Sequence, residues 1–160
     1  MTNTTTSANP DDVASIDTII AAAYDVISGP AGGKRDWNRE RSLFIPGARL
    51  IPTAAVPGRI EADLQPLILD VEQYIARVEP LFAQSGFYET EVARRTEQFG
   101  SLVHVWSTYE SRHDPSEPKP FMRGINSIQL FNDGKRWWIV SIYWQHENAG
   151  RPIPSEYLQG

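Results

Sequence analysis

The hydrophobic pattern changes period once along the chain, and that change divides it into a helical first half and a stranded second half. Val13, Ile16, Ile20, Ala23, Tyr24 and Ile27 recur every three or four residues, one apolar face of a helix. Asn9-Pro10-Asp11-Asp12 supplies a cap, a first-turn proline and two acids at the positive end of the dipole. Ser28-Gly29-Pro30 ends this helix, and Asp36 can cap a short second one carrying Trp37, Leu43 and Phe44. After a turn at Pro46-Gly47, a short strand is expected over 48–51, stopping at Pro52; the stretch 53–66 carries no clear period. Asp70-Val71-Glu72-Gln73 has the form of a capping box and opens a stripe of Val71, Ile75, Val78 and Phe82, with a kink or restart expected at Pro80.

From Phe87 onward the chain is rich in aromatic and β-branched residues, and 87–99, 102–112, 121–131 and 135–147 read as long strands. Gly100-Ser101 marks a turn, 113–120 a proline-rich loop, and Asn132-Asp133-Gly134 a three-residue hairpin loop. Helices first and a meander second predict an α+β domain over 10–148, with tails at 1–9 and 149–160, the latter loosely ordered.

The hairpin loop sets the faces of the last two strands. A three-residue loop opposes Phe131 to Lys135. The core face then carries Gly124, Asn126, Ile128 and Leu130 with Trp138, Val140, Ile142, Trp144 and His146. The outer face holds Phe131, Trp137, Ile139 and Tyr143, large apolar groups that suit a partner surface, so a homodimer through Trp137, Ile139 and Tyr143 is expected. A one-residue change in that loop inverts both faces. The loop before Phe121 is too long to fix the parity of 102–112. Either His104, Trp106 and Thr108 point inward or Val103, Val105 and Tyr109 do, and clustering of polar groups in one cleft favours the first.

Composition removes several functions. The 160 residues suit one domain, able to bury roughly 68–70% of its unfolded surface. There is no cysteine, hence no disulfide, thiolate metal site or thiol nucleophile, which favours a reducing, cytoplasmic setting. A net charge of −5, with Lys34, Arg35, Arg39 and Arg41 interrupted by Asp36 and Glu40, offers neither nucleic acid nor anionic membrane a basic stripe. The polar start lacks the basic and apolar regions of a signal peptide, and no apolar run is long enough to span a bilayer. His104, His113 and His146 lack ligand spacing, so no metal is expected, and no cofactor motif occurs. Glu89, Glu91, Arg94, Arg95 and Glu97 look like a charged edge strand.

The run Gly124-Ile125-Asn126-Ser127-Ile128-Gln129-Leu130, then Asn132-Asp133-Gly134 and Arg136 to Trp144, behind three helices, resembles the nuclear transport factor 2-like superfamily, also called SnoaL-like or cystatin-like cone proteins. The resemblance covers roughly 11–147. It implies a curved mixed or antiparallel sheet wrapped around three N-terminal helices to form a conical pocket. Against ketosteroid isomerase, which uses an Asp base and a Tyr with a protonated Asp as donors, Tyr24 falls at the Tyr donor, Asn126 at the second donor, and Trp144 at an aromatic wall. The base position falls near Pro52, which cannot take a proton, and no Asp or Glu lies within 48–56.

The expected guest is a small, largely apolar molecule with one polar end. Tyr24 and Asn126 are the polar candidates, with Trp37, Trp106, Trp144, Ile128 and Ile142 as walls, though Trp37 and Trp106 equally suit the core. An inward Asn in a strand must find partners or cost roughly 1–3 kcal/mol. The alternatives are a cofactor-free isomerase, dehydratase or cyclase, with Tyr24 and Asn126 polarising a carbonyl and His104 moving the proton, or a dimeric interaction module.

Overall fold

A computed structural model describes residues 6–55 and 64–160. Helices α1 (Ile16–Ile27), α2 (Trp37–Leu43) and α3 (Val71–Gln84) lie with strands β1 (Phe44–Ala55), β2 (Leu64–Pro66), β3 (Tyr88–Phe99), β4 (Leu102–Arg112), β5 (Met122–Asn132) and β6 (Trp137–His146). The six strands form one sheet in the order β2-β1-β6-β5-β4-β3. The β1–β6 pair is parallel and the other pairs are antiparallel, so the sheet is mixed and remains open at β2 and β3.

Local chemistry sets the helix ends. Asp70 accepts from the Gln73 amide at 2.8 Å while the Gln73 side chain accepts from the Asp70 amide at 2.9 Å, the expected capping box. Asp36 caps α2 by accepting from the Arg39 amide. The first helix starts later than the sequence suggests. Asn9 closes a turn, and Ser15 with Thr18 forms the true cap, because their hydroxyls satisfy amides that Asn9 cannot reach. Pro80 sits within α3 on its exposed side without interrupting the helix. Arg39 clamps α2 to the chain before and within α1 through Asp12 at 2.8 Å and Asp25 at 2.5 Å. Arg35 is buried, donating to the carbonyls of Ile27, Gly29, Pro30 and Gly33 beneath its cation–π contact with Phe82.

The helices cover the inner sheet face, and Ile19, Ile20, Leu43, Leu50, Val103, Val105, Ile128, Leu130 and Ile139 form the centre of the core. Strand β1 is much longer than 48–51. It absorbs Pro46-Gly47 as an irregularity in its pairing with β6, where Gly47 takes φ +84°.

Two bulges decide which side chains enter the core. The last hairpin pairs Asn132 with Trp137, so its loop holds four residues, not three, tied by Asp133 accepting from the Lys135 and Arg136 amides. Trp137 and Ile139 consequently point inward and are buried, which removes them from the expected partner surface. A bulge then leaves Val140 unpaired and flips the parity back, so Asn126 faces Trp144 and Ile128 faces Ile142 on the inner side. Trp138 pairs with Phe131 on the outer side, where Arg136 covers its ring at 3.5 Å. In β3 a second bulge leaves Val92 unpaired and aligns Glu89 with Ser111 and Glu91 with Tyr109.

Strand β4 takes the opposite parity to the one favoured above. Val103, Val105, Ser107, Tyr109 and Ser111 are buried, whereas His104 and Trp106 lie on the outer face. The segment after Ala149 docks over that face. Ile153 is buried, the Thr108 hydroxyl donates to the Tyr157 carbonyl at 2.5 Å, and the Tyr157 ring lies 5.8 Å from that of Trp106. Its two apolar anchors explain why it is better held than its prolines suggest. Of the expected N-terminal tail, residues 1–5 lie outside the described residues. No helix among the described residues is long and apolar enough to cross a membrane.

Candidate functional site

Between the helices and the inner sheet face lies a cavity of about 720 Å³. Tyr24 of α1, Glu40 of α2, Tyr74 of α3, Glu89 of β3, Tyr109 of β4 and Asn126 of β5 supply its polar surface. Ile128, Ile142, Trp144, Phe82 and Phe87 supply much of the apolar wall, and the Tyr74 and Trp144 rings meet edge-on at 6.0 Å.

Tyr24, Asn126, Trp144, Ile128 and Ile142 therefore meet in one cavity. His104, Trp106 and Trp37 do not. His104 Nε2 is bonded to the Ser127 hydroxyl at 2.9 Å on the outer face, a position from which no proton can reach a guest inside. Trp106 packs beside it under the C-terminal segment. Trp37 stacks on Phe82 behind the wall and donates to Glu79 at 3.2 Å.

The Tyr24–Asn126 pair is joined within itself. Ser107 donates its hydrogen to Glu91, which is ion-paired with Arg94 at 2.7 Å. Ser107 must then accept from Tyr24, at 2.7 Å, and the Tyr24 oxygen accepts from Asn126 Nδ2 at 3.0 Å. The Tyr24 proton thus points along this relay rather than at a guest. Burial, with the nearby Glu89 charge, pushes the phenol up, so it stays protonated.

Tyr109, inward in the parity that the sequence reading did not favour, completes the cavity with Glu40 and Glu89, which that reading did not place here. The Tyr109 hydroxyl is buried with no hydrogen-bond partner, and burial beside Glu89 pushes it up. Glu40 is buried, its Oε2 has no partner, and desolvation raises its carboxyl to about 8. Glu89 accepts from Ser111 at 3.2 Å, and its residual exposure is towards the cavity. Burial raises it to about 7, with Ser111 and Asn126 restraining the rise. The signal for Glu40 was its spacing, three residues from both Trp37 and Leu43 on one helical face. Glu89 carried no such signal, because a bulge turns it inward. Among the described residues no group of three or more His, Asp or Glu side chains could hold a metal ion.

The fold matches that of nuclear transport factor 2-like proteins, an α+β class with three helices and an open, six-stranded mixed sheet. No family model and no curated protein matches the sequence. The structural similarity is broad and the identity low. A Kribbella flavida protein aligns at TM-score 0.59 and 12% identity, over 86% of this chain and 93% of its own. A nuclear transport factor 2-like protein of unknown function from Silicibacter pomeroyi aligns at 0.55 and 16%, over 84% and 94%. A Parabacteroides distasonis protein described as a candidate ketosteroid isomerase aligns at 0.53 and 10%, over 83% and 88%.

Proposed function

We propose that the cone binds a small, largely apolar molecule whose polar end reaches the inner cluster of Tyr109, Asn126, Glu89 and Glu40. The observation that carries this reading is a cavity of about 720 Å³, within the size range of small-molecule sites, lined by Tyr109 and Glu40, whose buried Oη and Oε2 find no hydrogen-bond partner among the described residues. Such atoms cost roughly 1–3 kcal/mol each when left unpaired, a penalty a guest can relieve. Titration calorimetry with phenylbutanol tests the reading. Wild type is expected to bind it saturably, and Ile142→Trp, which fills the wall from a half-buried position, is expected to weaken binding at least about tenfold by overpacking the guest's space. Absence of binding to wild type, or equal binding by the filled variant, overturns it.

A cofactor-free isomerase, dehydratase or cyclase is the second reading, and the raised carboxyl of Glu89 favours it. A group near 7 inside a cavity is suited to moving a proton at neutral pH, the role that His104 cannot fill from the outer face.

We also infer a homodimer through the outer sheet face, now centred on Phe131 and Tyr143, both exposed, with Trp138 beside them rather than Trp137 and Ile139. Light scattering is expected to give twice the chain mass at micromolar concentration and the chain mass for Tyr143→Glu. A monomeric wild type refutes it.

A further inference from the structure

Two carboxyls reach the same aromatic cavity from opposite layers, Glu40 from α2 and Glu89 from β3, and neither meets a basic side chain among the described residues. We propose that the polar end of the guest is an organic cation, a protonated amine or quaternary ammonium group, seated between Glu40 and Glu89 against Tyr74 and Trp144. This inference rests on the cone being a binding site and names the chemistry of its guest.

The charge layout points one way. The basic groups lining the cavity, Arg77, His113, His146 and Arg151, are all on exposed residues at its rim. The buried Arg35 is held by four backbone carbonyls. Among the described residues, then, the ionisable groups deep in the cavity are the two carboxyls and the phenols of Tyr24, Tyr74 and Tyr109. An anionic guest would require both carboxyls to stay protonated and would be repelled as either ionises. A neutral guest leaves the carboxyls to keep their protons, because a buried, unpaired carboxylate is among the most unfavourable groups a protein can hold, and gains from them no more than a hydrogen bond. A cation supplies the missing charge.

The walls decide which cation. A divalent metal ion takes about six or more oxygen ligands, and among the described residues no group of three or more carboxylates or histidines comes together. An alkylammonium carries its single charge on an apolar body, and aromatic faces attract it through their quadrupoles. Tyr74 lies within electrostatic reach of both Glu40 and Glu89, so an aromatic ring accompanies the two carboxyls in the cavity lining. Trp144 meets that ring edge-on. The apolar walls that remain would receive the hydrocarbon body.

Ionisation of both carboxyls should accompany binding. Burial holds Glu40 to about 8 and Glu89 to about 7, so at neutral pH the empty cavity keeps much of its charge neutralised by protons. The cation displaces them. The surrounding groups are Tyr74 from α3, Tyr24 from α1, Tyr109 from β4 and Asn126 from β5, none of which ionises near neutrality, with His113 and His146 farther out at the rim. Affinity for a cation should therefore rise between pH 6 and 8, by up to about tenfold per unit for each proton released.

Titration calorimetry with three probes of one shape, phenylbutylamine, phenylbutanol and phenylbutyrate, tests this at pH 8. The amine is expected to bind at least about tenfold tighter than the alcohol, with proton release seen as a dependence of the heat on buffer ionisation, and the carboxylate to bind weakest. In the Glu40→Gln/Glu89→Gln double variant the ratio of amine to alcohol affinity should fall to about one. Should that variant fail to fold, the wild-type comparison decides alone. Equal affinity for amine and alcohol, or a preference for the carboxylate, overturns the cation and leaves the pocket standing. Failure of all three probes to bind overturns the pocket as well.

Discussion

Gly124→Ala is expected to lower the stability of the fold by roughly 2–4 kcal/mol, at or beyond the upper end of ordinary overpacking. A Cβ at this position would lie 2.4 Å from the Tyr109 hydroxyl oxygen and 2.5 Å from the Gln145 carbonyl oxygen. Neither neighbour can yield cheaply. Gln145 is paired with Ile125 in the β5–β6 ladder, so moving its carbonyl disturbs main-chain hydrogen bonds. Tyr109 is fully buried, and its ring can swing only by filling the cavity. Urea denaturation checks the size of the loss, and a midpoint matching wild type refutes the account. The same geometry makes Tyr109→Phe informative. Its hydroxyl has no partner, so removing it should leave stability unchanged or raise it by up to about 1 kcal/mol. In Gly124→Ala the phenylalanine change should recover only part of the loss, since the clash with the Gln145 carbonyl remains. A residue whose polar atom is a liability to the empty fold is what a binding site requires, because pairing is reserved for the guest.

Much of the architecture can be read in the sequence because local chemistry specifies it. The Asp70/Gln73 box, the Asp36 cap and the four long aromatic strands all occur within two or three residues of their expected limits. The faces of the strands are another matter. Parity is a non-local property, and both bulges that set it lie at valines, Val92 and Val140, residues that suit any strand. At the last hairpin two departures offset each other. The loop is one residue longer than its Asn-Asp-Gly signature suggests, which inverts Trp137 to Ile139, and the bulge at Val140 restores the expected order from Ile142 onward. Asn126 and Trp144 thus enter the cavity as expected while Trp137 and Ile139 join the core. The side that His104 takes is not legible in the sequence because the 113–120 loop carries no register, and Ser127 satisfies its imidazole on the outer face. Glu89 entered unannounced for the reason that misled the reading of β3. It is an edge strand, but an edge position does not say which of its charges turn inward, and the bulge turns two of them.

Glu40 should make the empty protein less stable as pH rises, and Glu40→Gln should remove that dependence. The folded-state carboxyl is raised from 4.5 to about 8 by burial, with no basic side chain among the described residues to offset it. A raised carboxyl favours the folded state fully when protonated in both states, below 4.5, and that contribution is lost as pH climbs through about 8. Each pH unit inside the window is worth about 1.4 kcal/mol, so the loss reaches several kcal/mol by pH 8. Glu89 adds a smaller loss of the same sign between 4.5 and about 7, since it is only half-buried and keeps the Ser111 bond. Glu72 runs oppositely. Its pKa is lowered by Arg41 at the surface, so its small contribution is present above 4.5 and fades as pH falls. Denaturation at pH 5, 6.5 and 8 separates these effects. Wild type should weaken steadily across the series, whereas Glu40→Gln, which keeps the shape of the side chain without its titration, should be the more stable protein at pH 8 by roughly 2–4 kcal/mol. Parallel profiles for the two proteins would show that Glu40 is not desolvated in the manner described. Saturating phenylbutylamine should flatten the wild-type profile, and flatten that of Glu40→Gln less because only Glu89 remains to exchange its proton there, since the cation takes over from the proton as the partner that a buried carboxylate requires.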